Sequence, residues 1–163
     1  MPPSSDRHLS PGISALRPAW NRLQRLPGGR RIFSFAIGRA AAYTGTIPFQ
    51  VEDLEEGRSV TSLRDRRGIR NHLKSIHAIA LANFAEVTAN VALAYSMPPG
   101  TRFIVRSFQI EYLHKARGRL RGIGRCAVPE AGSSQTYPVG VEIFDAADRL
   151  VCRATFDSLV GPE

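Results

Sequence analysis

The stretch NHLKSIHAIALANFAEVTAN, residues 71–90, decides how this chain is read. Over residues 76–93 nearly every side chain is aliphatic, alanine or phenylalanine, which predicts a long helix buried on almost every side. Glu86 stands in its middle. At about 100° per residue, Asn83, Glu86 and Asn90 fall within roughly 60° of one another, and only His77 and Thr88 add polarity elsewhere. A stripe this narrow does not face open water, which would draw charged residues along a whole side. It faces another protein surface or a small wet cavity. An isolated buried carboxylate must be hydrogen-bonded, paired or protonated. Glu86 is therefore either a polar lock at a subunit interface or a carboxylate placed for chemistry.

The flanks bound the helix. Ser75 is a plausible N-cap, and PPG at 98–100 ends the segment. Upstream, TIPFQVEDLEEGRSVTSLRD, residues 46–65, reads as two strands joined by a turn at 55–57. Downstream, RFIVRSFQIEYLHKA alternates Phe103, Val105, Phe108, Ile110 and Tyr112 with a break near Ser107 that predicts a bulge. GRLRGIGRCAV, YPVGVEIFDAADRL and VCRATFDSLV supply three more strands with short turns. A long apolar helix among six strands must be wrapped by them, because only a surrounding core buries every face. The expected class is α+β: a hotdog architecture, a curved antiparallel sheet of about six strands around one central helix, preceded by short N-terminal helices.

At 163 residues the chain suits a single domain with a substantial core. Residues 1–11 are Pro- and Ser-rich without apolar periodicity and are expected to be disordered. Residues 12–44 form a helical brace, in which Leu16, Trp20, Leu23 and Leu26 recur at helical spacing and Ile32, Phe33, Phe35 and Ile37 are expected in the core. Residues 45–163 form the hotdog domain. No opening segment has a signal-type apolar core, and Asn83, Glu86 and Asn90 argue against a membrane span, so a cytoplasmic location is expected. The net charge of +8 comes from arginine, since Lys74 and Lys115 are the only lysines. Such a balance suits nucleic acid, anionic lipid or a phosphorylated ligand. No zinc-finger spacing, RNP-type motif or helix-turn-helix pattern accompanies it, so nucleic acid is not the expected partner. Cys126 and Cys152 form no CxxC; they are two buried thiols, a disulfide or a reactive thiol. The four histidines, at 8, 72, 77 and 114, show no ligand-type pairing, and no metal or cofactor is expected.

Residues 71–86, NHLKSIHAIALANFAE, resemble the signature of hotdog acyl-CoA thioesterases of the phenylacetate-pathway and hydroxybenzoyl-CoA type: an Asn, a His six residues later followed by two Gly, and an acidic residue nine after the His. Asn71, His77 and Glu86 meet these spacings. IEYLHKARGRL and VEIFDAADRLVCRATF resemble the later strands of that superfamily, so the likeness covers about 45–160, and the helix region is most similar to an uncharacterised bacterial branch of it. The resemblance implies hydrolysis of an acyl-CoA or acyl-carrier thioester. Glu86 would activate water or attack the acyl carbon, Asn71 would orient water or carbonyl, and His77 would shape the start of the helix. The backbone amides of Ala78 or Ile79 would hold the oxyanion. It also implies a homodimer or homotetramer with the site shared between subunits. Asn83, Arg67, Arg70, Arg117 and Arg119 are the candidate substrate-binding residues, the arginines for coenzyme A phosphates. Both signature glycines are replaced here, by Ala78 and Ile79. That departure favours the alternative, a non-catalytic acyl-CoA-binding or interaction module on the same fold.

Overall fold

The helix at the centre is held to the sheet by a buried polar seat. The computed structural model describes residues 13–132 and 134–162; the expected disordered tail lies outside the described residues. Two helices come first, α1 (Ile13–Leu23) and α2 (Gly29–Ala40), followed by strands β1 (Phe49–Glu55) and β2 (Arg58–Leu63). The chain then crosses by the long helix α3 (Ala78–Ser96) to β3 (Thr101–Tyr112), β4 (Leu120–Cys126), β5 (Gln135–Phe144) and β6 (Leu150–Pro162). All six strands pair antiparallel in one curved sheet ordered β1-β2-β4-β5-β6-β3. The edges are β1 and β3. The expected break in β3 is a bulge between Val105 and Ser107.

Thr88 explains which way α3 faces. Its hydroxyl donates to the Phe84 carbonyl at 2.7 Å and lies 2.6 Å from the Thr61 hydroxyl of β2, while Ser59 Oγ donates to the Thr88 carbonyl at 2.7 Å. Opposite them β4 runs Leu-Arg-Gly-Ile-Gly, and a Cβ on Gly122 or Gly124 would come within 3 Å of Thr61, Ser59 or Thr88 atoms. The missing side chains let helix backbone approach strand backbone closely. On the helical wheel Thr88 lies about 180° from Ile79. Anchoring Thr88 against the sheet therefore turns Ile79, Asn83, Glu86 and Asn90 away from it. Among the described residues α3 is the one helix long and apolar enough to cross a membrane, and it is instead the core of the fold.

The helix is not covered all round. Glu86 and Asn90 remain half-buried, and Ile79 is 55% exposed. The brace also differs from expectation: Phe33 is buried with its ring 5.0 Å from that of Trp20, whereas Ile32 and Phe35 point outward at 57% and 71% exposure. The inward face of α2 does not take residues 32, 33 and 35 together, since they spread over about 160° and Phe33 lies at one end of that arc. The α2 helix instead uses Ser34, whose Oγ accepts the Val51 N–H of β1 at 2.8 Å and so caps part of that strand edge.

Cys126 and Cys152 are free thiols. Burial pushes the Cys152 thiol up to about 12 and raises that of Cys126. At pH 8 only about one Cys152 in 10⁴ would be thiolate, the form that alkylates. Iodoacetamide is expected to leave Cys152 unmodified in the native protein and to modify both cysteines after guanidinium unfolding, read by intact mass and peptide mapping. Native modification of Cys152 at the unfolded rate would contradict this packing.

Candidate active site

The start of α3 is set by a histidine. His77 is the N-cap, and its Nδ1 accepts the Ile79 N–H at 3.1 Å, which leaves the neutral ring's proton on Nε2. Ser75, expected in that role, lies one bridge too early: its hydroxyl and N–H both donate to Asn71 Oδ1, at 3.1 and 3.2 Å. Asn71 Oδ1 also accepts the Leu73 N–H at 2.9 Å, so this side chain organises the loop before the helix. Its Nδ2 has no partner among the described residues. Two further bonds fix the helix start in space. The His77 N–H donates to the Ile69 carbonyl at 2.8 Å, and Tyr112 of β3 donates its hydroxyl to the Ala78 carbonyl at 3.0 Å.

This geometry redistributes the amides at the helix start. The Ile79 N–H is engaged by His77, so it does not point free toward a carbonyl oxygen. The Ala78 and Ala80 N–H groups have no partner among the described residues. They sit at the positive end of a 19-residue helix, where orphan donors and the dipole favour negative charge.

Glu86 projects from the uncovered face two turns further on, half-buried and with neither hydrogen bond nor ion pair among the described residues. Asn83 is buried. Its Nδ2 donates to the Tyr43 carbonyl at 3.1 Å, tying α3 to the 3-10 turn Thr44–Thr46, and its Oδ1 is buried without a donor. Asn90 Oδ1 is likewise buried and unpartnered. A cavity of about 240 Å³ opens beside the helix start, lined by His77, Ile79, Asn83, Arg70 and Tyr43 among others. Nine residues separate His77 from Glu86, about 13 Å along the helix axis. One chain therefore does not bring the Asn71–His77 segment and Glu86 together.

The four candidate arginines divide. Arg70 Nε donates to Asp65 Oδ1 at 2.7 Å, and Asp65 also accepts the Gly118 N–H at 2.9 Å. The Arg70 hydrogen bond, helped by that amide, holds Asp65 below the usual carboxylate range. Arg119 is bound to Glu52 at 2.9 Å and Ser62 at 3.1 Å, and Arg117 donates to the Leu73 carbonyl at 3.2 Å. Arg67, at the turn Arg67–Ile69, has no partner among the described residues. The role of Tyr112 in fixing the helix start was not legible in the sequence, where it read as one of the alternating residues of a strand, and neither was that of the Tyr43 backbone carbonyl in holding Asn83. Among the described residues no three His, Cys, Asp or Glu side chains gather as a metal site.

A curved antiparallel sheet wrapped around one long helix is the hotdog fold. Residues 29–160 match the family described as a domain of unknown function, DUF4442, and the chain belongs to that family. A structural-genomics crystal structure is 30% identical, with a TM-score of 0.77, covering 93% of this chain and 99% of that one. A hypothetical thioesterase protein from Streptococcus pneumoniae TIGR4, solved with coenzyme A, is 20% identical with a TM-score of 0.61, over 71% of this chain and 90% of that one. A Streptococcus mutans UA159 protein bound to acetyl-CoA is 19% identical with a TM-score of 0.62, over 71% and 90%. No curated protein matches.

Proposed function

We propose that the protein hydrolyses an acyl thioester of coenzyme A or of an acyl carrier, with Glu86 as the base. The observation that carries this reading is the unpaired Glu86 carboxylate on the one face of α3 that the sheet leaves uncovered. A lock internal to the chain would have its partner there, and among the described residues this carboxylate has none; a lock at a subunit interface is told apart by Glu86→Gln. The complexes of the two streptococcal proteins with coenzyme A and acetyl-CoA, on the same fold, support an acyl-CoA as substrate.

In the proposed reaction Glu86 takes a proton from water as the water oxygen bonds to the thioester carbon. The oxyanion that forms accepts hydrogen bonds from the Ala78 and Ala80 amides. Collapse breaks the carbon–sulfur bond, and the protonated Glu86 returns its proton to the leaving sulfur. The products are the carboxylic acid and the free thiol. Thiol release from short, long and aromatic acyl-CoAs tests the reading directly. The competing reading, an acyl-CoA-binding module, is favoured by the engagement of the Ile79 amide and by the Ile79 side chain beside it.

Because His77 and Glu86 are separated along one helix, the reading requires two chains. An uncovered stretch of the edge strand β3 supports a second copy. Phe108, Ile110 and Tyr112 of β3 point to the helix side of the sheet; Tyr112 meets the start of α3, yet Phe108 is 53% exposed. Its ring stacks on that of buried Phe156 at 5.3 Å, so it is held in place. An edge strand with an uncovered apolar side chain, and a half-buried stripe on α3, are features that an interface across a two-fold axis would use. The protein is expected to sediment as a dimer or larger assembly. Phe108→Glu, which would leave a charge in that apolar surface, is expected to weaken association about ten- to hundredfold. A wild-type monomer at high concentration would count against the shared site.

A further inference from the structure

The helical brace carries an exposed surface that the proposed hydrolysis does not use. Residues 13–48 contain six arginines and no Asp or Glu. Arg17 is paired with Glu56 at 2.5 Å and Arg30 lies 3.8 Å from Glu52. Arg22, Arg25, Arg31 and Arg39 are exposed and have no anionic partner among the described residues. Large apolar side chains stand exposed among them: Leu26, Ile32, Phe35 and Tyr43.

On the α2 wheel Arg31, Phe35, Arg39 and Ile32 share an arc of about 100°, so cationic and apolar side chains alternate on one face. That face is fixed. Phe33 is buried against Trp20 on the inward side, and Ser34 both donates to the Arg30 carbonyl at 2.7 Å and accepts the Val51 N–H. Beside it runs a groove of about 640 Å³ between α2 and the first two strands. Arg31, Phe35, Arg39, Phe49, Arg64 and Arg119 line it, and no carboxylate does.

We propose that this face docks on an anionic phospholipid surface, with Ile32 and Phe35 entering the headgroup–acyl boundary and Arg31 and Arg39 meeting lipid phosphates. The charge fits such a partner: unpaired guanidinium groups are drawn to an anionic leaflet, and an amphipathic face with Arg beside Phe and Ile lies in the interface plane. A second copy fits poorly, because pairing this face with itself brings unpaired arginines together. Nucleic acid fits poorly too, since the centre of the face offers large apolar side chains where a phosphate backbone would lie.

The test is co-sedimentation of the full chain at ~0.1 M salt with vesicles of phosphatidylcholine alone and with vesicles containing about one-third phosphatidylserine. Binding is expected with the second and not the first. Arg31→Gln with Arg39→Gln is expected to lower the partition coefficient about thirtyfold, at roughly 1 kcal/mol for each arginine. Phe35→Ser is expected to lower it about tenfold without changing net charge. The control, Arg121→Gln with Arg125→Gln, removes the same formal charge from β4 and is expected to leave most binding intact. All these side chains are exposed, and circular dichroism checks that the variants fold. The proposal is overturned by absence of binding to anionic vesicles, by equal loss in the control pair, or by binding indifferent to Phe35→Ser. A drop in sedimenting mass of the lipid-free protein on Phe35→Ser would also overturn it, in favour of a second copy on this face.

Discussion

Glu86→Gln is expected to abolish thiol release from acyl-CoA, lowering kcat by about 10²- to 10⁴-fold while the protein stays folded. Glutamine keeps the shape of the side chain and can still hydrogen-bond to water, but it cannot take the proton that makes water a nucleophile. The carboxylate has no ion pair or hydrogen bond among the described residues, so the substitution breaks no partner, and stability should change by no more than about 0.5 kcal/mol. That combination separates the two roles open to Glu86. A base gives a large loss of kcat with an unchanged melting temperature and assembly. An interface lock gives the reverse: a weakened dimer, and turnover that is either absent in both proteins or equal in both. Equal turnover in wild type and Glu86→Gln would sink the assignment of the base. Direct attack by the same carboxylate predicts the same loss; in single turnover in ¹⁸O-water, label found in Glu86 identifies the anhydride, because water attacking its glutamyl carbonyl leaves oxygen there and a general base never acquires any.

The reach of the sequence follows from which forces are local. The six strands and the central helix were legible because period-2 alternation and an unbroken apolar run each impose one geometry. The bulge after Val105 was legible for the same reason, as a slip in the alternation of β3. The polar stripe was legible as well, since three residues at fixed angles on a helix must share a face. The helix start was not. Ser75 has the chemistry of a cap, yet its hydroxyl is taken by Asn71, and His77 caps in its place. That outcome depends on the path of the loop, which is held from outside by the Ile69 and Ala116 carbonyls. The outward turn of Ile32 and Phe35 was hidden as well: apolarity states a preference for burial, whereas Phe33 and Ser34 decide which side of α2 meets the sheet. Similarly, nothing in the alternation of β3 tells that Tyr112 meets the start of α3 through its hydroxyl while Phe108, further along the same inward face, stays 53% exposed.

Gly124→Ala is expected to destabilise the protein by about 1–3 kcal/mol and to lower the melting temperature by roughly 3–10 °C. The added Cβ would stand 2.6 Å from Ser59 Oγ, 2.7 Å from the Thr88 carbonyl oxygen and 3.3 Å from its carbon. Ser59 can rotate away, at the loss of its hydrogen bond to Thr88, about 0.5–1.5 kcal/mol. The Thr88 carbonyl cannot, because it is helix backbone; only a shift of α3 itself relieves the contact. Gly124→Ala with Ser59→Ala should therefore recover part of the loss and not all of it. Gly140→Ala is the control. Gly140 lies on the neighbouring strand β5 opposite Arg125, and a Cβ there meets nothing within 4 Å, so its stability should stay within about 0.5 kcal/mol of wild type. Chemical denaturation of the three variants reads these differences. A Gly124→Ala protein as stable as Gly140→Ala would show that α3 is not seated on β4 as described. The same seat sets the rotation of the helix, since Thr88 lies opposite the stripe that carries Glu86. A shift large enough to accommodate the new methyl group moves Glu86 with it, so the folded fraction of Gly124→Ala should also lose turnover, although its nearest approach to the proposed chemistry is through the full width of the helix.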